Sequence, residues 1–259
     1  MMKKWITFDL DGTLMQNPFG EWVFPELNAT VSRWAGRPVN IVRGLLEEHQ
    51  RRMRAAQYVA AYDWDEMLTG LLEKLHIEQR LDIEELVIKH AVPGKIRLLE
   101  EGSVEVLKQL REAGFSLAAV TNGFFKYQFP VMEALGLSGY FDEIVTPERA
   151  GAGKPDPAIL RMFGGNVVAH IGDRLDHDVK LANDYGCLSV FVYHNLPRAL
   201  LSVHPSERAC DASMAGILTE KWEQESSGTA NGPLARLCKP KVVVAAVREL
   251  LTLEELKKV

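Results

Sequence analysis

Cysteine is scarce in this 259-residue chain: Cys187, Cys210 and Cys238 are odd in number, scattered, and in no metal-ligand spacing. That argues against a disulfide scaffold and a cysteine-ligated metal centre, and it suits a reducing compartment. Basic excess is lacking too. Lys and Arg number 30 against 35 Asp and Glu, a formal charge of −5 with a pI near 5.9. Nothing therefore drives binding to a phosphate backbone, and nucleic acid is not an expected partner. A small anionic ligand needs only a few local cations and is untouched by that argument. No apolar run approaches the roughly 18 residues that span a bilayer, so no membrane partner is expected. The N-terminal MMKKWITFDLDG carries charge without the apolar core of a secretory signal, and the expected location is cytoplasmic. Internal repeats and low-complexity segments are missing as well.

What is present is ordinary globular composition, 47% apolar and 25% charged, in a chain long enough for one domain with an insertion. Residues Lys3 to Leu10 read as a short buried strand. From about Met15 to Arg97 apolar residues recur at spacings of three and four, with Asp63 and Asp82 placed to cap helices, and no strand is evident. Alternation then begins. SVEVLKQLREAG reads as a helix, FSLAAVTNG as a strand, KYQFPVMEALG as a helix and YFDEIVT as a strand. A helix from near Pro157, the strand NVVAHIGD, the helix DVKLANDYG and the strand CLSVFVY follow. Strands alternating with helices of this length imply an α/β fold, a Rossmann-like three-layer core with a parallel sheet. Residues 1–14 and 98–259 are assigned to that core, and 15–97 to an inserted all-helical unit. The tail is less legible: a loop is expected near Ser226–Gly232, then a last strand or helix start and a closing helix in KPKVVVAAVRELLTLEELKKV.

Open parallel sheets bind ligands beyond the carboxyl ends of their strands. Those ends carry polar groups here. FDLDGTLM places Asp9 and Asp11 after the first strand; Thr121, Asn122 and Gly123 follow the second; Lys154 stands in GAGKPDP; Asp173 ends VAHIGD, with Asp178 five residues on. An Asp-Gly turn alone could account for Asp11-Gly12, but turn chemistry does not need four polar clusters along one edge. GAGK is not a nucleotide-binding loop, because Pro155 follows the lysine and no glycine stands five positions before Gly153.

In order and spacing these motifs resemble the haloacid dehalogenase superfamily, specifically its phosphatases with a helical C1-type cap inserted after the first strand. The match is carried by Asp9, Asp11, Gly12 and Thr13, then Thr121, then Lys154, then Gly172, Asp173 and Asp178. The resemblance implies a metal-dependent phosphomonoesterase acting on a small phosphorylated metabolite through an aspartyl-phosphate. Asp9 would be the nucleophile, and Asp11 the general acid and then base. Thr121, Asn122 and Lys154 would hold the phosphoryl group. Asp9, Asp173 and the backbone carbonyl of Asp11 would ligate Mg²⁺, with Mn²⁺ or Co²⁺ as alternatives. Asp178 would orient Lys154 or a metal-bound water; a helix-start carboxylate is its plainer reading.

Asp11 argues against a metal-free dehalogenase. A phosphomutase of the same fold and a catalytically silent binding protein remain as alternatives. The sequence looks most like Bacillus-type relatives linked to phosphoserine hydrolysis in serine biosynthesis. For such a substrate Arg51, Arg54, Asp63 and Asp65 are available in the helical block, although Arg51 and Arg54 read first as an ordinary charged surface. His177, beside the last motif, reads first as a solvated or capping residue, with contact to the site as the alternative. Phe124, Phe125 and Tyr127 either line the gap between the two units or pack it. Oligomeric state is left open.

Overall fold

A computed structural model describes residues 3–225 and 234–257. Six strands form one sheet in the order β5–β4–β1–β6–β7–β8, every neighbouring pair parallel. They are β1 (Trp5–Phe8), β4 (Ser116–Val120), β5 (Glu143–Val145), β6 (Val167–Gly172), β7 (Leu188–Val192) and β8 (Val242–Val244). All four residues of β1 are buried, which is what a central strand covered on both faces requires. Helix α5 (Ser103–Glu112) precedes β4, and α6 (Phe125–Ala134) leaves it. Two apolar layers flank the sheet. One gathers Ile6, Phe8, Leu107, Leu117 and Ile171, the other Trp5, Val120, Leu160 and Leu181.

The expected strand at Lys3–Leu10 is thus real but shorter, and the parallel α/β core stands. Two details of the helical block differ from the sequence reading. The block opens and closes on a two-residue antiparallel ribbon, β2 (Met15–Gln16) against β3 (Arg97–Leu98). Pairs this short leave no periodic signal. Between them lie α1 (Phe24–Ala35), α2 (Ile41–Arg54), α3 (Trp64–Lys74) and α4 (Ile83–His90). Asp63 and Asp82 cap α3 and α4 as expected, accepting the N–H groups of Glu66 and Glu85 at 3.1 and 3.2 Å.

The tail is more helical than the sequence suggested. Ala212–Glu225 is a helix that buries only Met214 and Leu218; so narrow an apolar stripe is easily read as loop. The loop expected at Ser226–Gly232 lies outside the described residues. Arg208 anchors this region: it is buried, pairs with Glu249 at 2.6 and 2.9 Å, and donates to the Val243 carbonyl at 3.2 Å. Among the described residues no helix is long and apolar enough to cross a membrane.

Asp65, in the first turn of α3, ties the helical block to α6. It accepts from Lys126 at 2.5 Å and the Tyr127 hydroxyl at 2.8 Å through one oxygen, and from the Ile83 N–H at 2.9 Å through the other. Tyr127 also packs edge-on against Phe19 and stacks on Phe124, and both Phe124 and Tyr127 are buried. Those two rings therefore pack the junction, whereas Phe125 stacks on Phe129 beneath Arg149. Asp65→Ala should cost about 1–3 kcal/mol, the penalty of stranding a hydroxyl and an ammonium at a partly buried seam. Amide hydrogen exchange should then accelerate in α3 and α4 but not in β1 or β4; uniform acceleration would count against this seam.

Candidate active site

Strand order sets the site. β1 lies between β4 and β6, so Asp9, Thr121 and Asp173 emerge from three neighbouring strands spaced about 4.8 Å apart. After Asp9 the chain folds back at once: the Leu10 carbonyl accepts the N–H groups of Thr13, Leu14 and Met15 at 3.2, 2.8 and 3.0 Å. That reversal needs a positive φ of 82° at residue 12, which glycine adopts without strain. A Cβ there would also lie 2.6 Å from Asp173 Oδ2.

Lys154 is the hub, 2% exposed. Its ammonium donates to Asp9 Oδ1 at 2.5 Å and Asp178 Oδ1 at 2.7 Å. Asn122 clamps the lysine backbone, accepting its N–H at 2.7 Å and donating to its carbonyl at 2.9 Å. Asp178 is fixed from behind by His170 Nε2 at 3.0 Å and the Arg174 N–H at 3.1 Å, while the other His170 nitrogen meets Thr7 Oγ1 at 2.8 Å. A Cβ on Gly172 would sit 2.2 Å from Asp178 Cγ, so only glycine lets this carboxylate approach. Burial works against the Lys154 charge, but Asp178 and Asp9 outweigh it and hold its pKa above the ordinary lysine value. Burial likewise opposes ionisation of Asp178, and Lys154 with His170 overcomes it, leaving that carboxyl well below its usual range.

The remaining carboxylates are less compensated. Burial raises Asp9 against the pull of Lys154. Asp173 is pushed up to about 8 by burial and by the charges of Asp9 and Asp178. Oxygens of Asp9, Asp173 and Asp178 lie within 4.8 Å of one another. Asp178 is committed to Lys154 and His170, which leaves Asp9 and Asp173 as the free donors. An all-oxygen, buried, electron-rich set of this kind suits a hard divalent cation such as Mg²⁺. Such a cation would also relieve the repulsion that raises both groups.

Asp11 points elsewhere. Its Oδ2 accepts from Gln128 Nε2 at 2.7 Å, and among the described residues its Oδ1 is buried without a partner at hydrogen-bond geometry. Burial pushes it up to about 6, with the Gln128 hydrogen bond opposing. Thr121 Oγ1 accepts the Gly123 N–H at 3.1 Å, so its own hydroxyl proton is available to an anion.

All seven residues read from the sequence thus converge on one strand edge, with Asp178 behind Lys154. Gln128, Tyr58 and Tyr62 were missed. Gln128 sits one turn into α6, where an amide reads as surface. Tyr58 Cβ would be 3.0 Å from a Cβ on Gly153, and Tyr62 lies within electrostatic reach of Arg174 and Lys154. Both belong to the link between α2 and α3, which covers the site. His177 is corrected: it is buried, and burial together with the Arg174 charge lowers its pKa to about 3, so it is neither solvated nor a cap.

A model of haloacid dehalogenase-like hydrolases matches residues 3–186. The chain belongs to that family. Over 93 residues it is 39% identical to a glyceraldehyde 3-phosphate phosphatase of Methanopyrus kandleri, covering 34% of this chain and 40% of that protein. The protein of the same name from Methanocaldococcus jannaschii is 25% identical over 203 residues, 73% of this chain and 84% of the relative. Among solved structures, a HAD phosphatase from Thermococcus onnurineus superposes with a TM-score of 0.63 at 22% identity, over 96% of both chains. That likeness confirms the fold.

The raised carboxyls have a thermodynamic consequence. A carboxyl at 3.8 when unfolded and about 8 when folded destabilises the native state progressively as pH rises through that window. Without divalent cation, melting temperature should fall between pH 5 and 8, and the fall should flatten in Asp173→Asn. Mg²⁺ should raise the melting temperature more at pH 8 than at pH 5, because protons no longer compete for Asp173. A gain independent of pH would refute this.

Proposed function

We propose that this hydrolase is a divalent-cation-dependent phosphomonoesterase that acts on small phosphorylated metabolites. The observation that carries the reading is that two carboxyls, two residues apart, have different partners. Asp9 meets a buried ammonium at 2.5 Å, whereas Asp11 meets the neutral amide of Gln128 at 2.7 Å and is pushed by burial up to about 6. One is suited to attack, the other to carry a proton.

Asp9, Asp173 and the Asp11 backbone carbonyl would hold Mg²⁺, which would supply positive charge that offsets repulsion between the nucleophile and the anionic ester. Lys154 adds positive charge as well, and Thr121 Oγ1 with the Asn122 N–H donates to the equatorial phosphoryl oxygens. Asp9 attacks phosphorus, forming an acyl-phosphate bond as the ester P–O bond breaks; Asp11 gives its proton to the departing alkoxide. Asp11 then takes a proton from water as it attacks phosphorus, and inorganic phosphate leaves Asp9. Asp178 fixes Lys154 throughout.

Residues 15–97 act in this reading as a cap, with Tyr58 and Tyr62 excluding water. The non-phosphate end of the substrate would meet Tyr62, His49 and Arg174. Small three-carbon phosphates agree with the names of the two archaeal relatives. Phosphoserine stays within the class but draws no support from its suggested partners. Arg51 is exposed on Glu48, Arg54 is exposed, Asp63 is a helix cap and Asp65 is bound to Lys126.

The test is phosphate release from a panel of small monoesters, including glyceraldehyde 3-phosphate, phosphoglycolate and phosphoserine, with Mg²⁺ or EDTA. Turnover should require the metal, and Asp9→Asn should remove at least about 10³-fold, the scale of losing a covalent nucleophile. No release from any ester would overturn the reading, and phosphate recovered on a second hydroxyl would favour a mutase. Gln128→Leu should move the alkaline limb of kcat/KM upward in pH. Asp11 must be protonated to act as acid, and the lost hydrogen bond is one that lowers its pKa; an unmoved limb would remove Asp11 from the acid role.

A further inference from the structure

The helix Ala212–Glu225 lies beyond the residues that match the family model, yet it reaches the carboxylate cluster. Met214 and Leu218 seat it against Leu175 and Val179, in the short helical segment that follows Asp173. Lys221 stands one turn after Leu218 and Glu225 one turn after Lys221, so the docking face continues into a charged pair. Glu225 Oε2 accepts the N–H groups of Leu175 and Asp176 at 2.8 and 3.2 Å. Its Oε1 lies 3.2 Å from Lys221 Nζ, and that ammonium lies 3.9 Å from Asp173 Oδ2. Lys221 is thus tethered rather than free, and it faces the one clustered carboxylate that Lys154 does not contact.

We propose that Lys221 is a positioning residue, a resident counter-cation that steadies Asp173 in the metal-free protein and weakens its hold on a divalent cation. The inference rests on the reading of Asp173 as a metal ligand. Opposite charge 3.9 Å away offsets part of the repulsion within the cluster. The same ammonium repels a dication bound to Asp173, because oxygen ligation puts the ion within about 2.1 Å of the carboxylate. Lys221 thereby sets the metal affinity lower than the carboxylates alone would give, and Glu225 holds it at the required distance while bonding to that segment.

Mg²⁺ and Mn²⁺ titrations of the full chain by isothermal calorimetry test this, with activity playing no part. Lys221→Met and Lys221→Gln should each bind Mg²⁺ roughly threefold to tenfold more tightly than the unaltered chain, a range suited to a partly exposed charge. Both should melt at lower temperature in EDTA. Lys221→Arg should restore the original affinity, and the difference should shrink in high salt. Fluorescence of the neighbouring Trp222 reports whether the helix stays docked; Lys221→Gln, which keeps most of the side-chain length, serves if Lys221→Met undocks it. Equal or weaker binding in a docked Lys221→Gln overturns the inference while leaving the metal site standing. Binding of neither metal by the unaltered chain, or full binding by Asp173→Asn, overturns the metal reading and the inference with it.

Discussion

The site depends on one buried ammonium shared by two carboxylates. Lys154 sits between Asp9 and Asp178 at 2.5 and 2.7 Å, with all three nearly sealed from water. Removing one partner of a buried pair strands the others at a cost of about 3–5 kcal/mol, so each member constrains the rest. The constraint propagates outward. Asn122 fixes the lysine backbone from the end of β4, His170 on β6 fixes Asp178, and Thr7 on β1 fixes His170. Three neighbouring strands contribute, and only a sheet that places β1 between β4 and β6 brings them to one point. Gly172 belongs to the same constraint, since a side chain there would occupy the place of the Asp178 carboxyl.

This dependence explains why the sequence spoke clearly about some residues and not others. Asp9, Thr121 and Asp173 stand at the ends of apolar strands, where parallel topology alone predicts convergence. Lys154 and Asp178 were legible through their spacing to those strands. Gln128 and Tyr62 were not, because their roles depend on which way a helix and a link face after packing. His177 misled for a related reason. Its sequence neighbours are polar, but Leu175 and Val179 turn that stretch inward against the helix Ala212–Glu225. The helix itself was illegible because two buried residues in fourteen give almost no periodic signal. The β2–β3 ribbon, two residues a side, gave none at all.

Cover and charge act together at this edge. Each element laid near it, the α2–α3 link beside Gly153 and the tail helix beside Asp173, removes water from carboxylates that already repel one another. Lower local dielectric strengthens the Lys154 contacts and the repulsion alike. The outcome is asymmetric. Asp178, in contact with the Lys154 ammonium and the His170 ring, is held well below the usual carboxylate range, while Asp173, with Lys221 at 3.9 Å and Arg174 further off, is driven up to about 8.

That asymmetry divides the work among residues that a sequence reads as one acidic cluster. A carboxylate satisfied by lysine and histidine has little left to offer a metal, and its value lies in fixing the lysine. A carboxylate short of positive charge is the better metal donor, and the same shortage makes it costly to the empty fold. Asp11 escapes both fates because its partner is the neutral amide of Gln128, which orients the group without fixing its charge. Three acids within a few residues of one sheet edge thereby differ in what they can do. The difference arises from the second atom each one touches, not from the acids themselves.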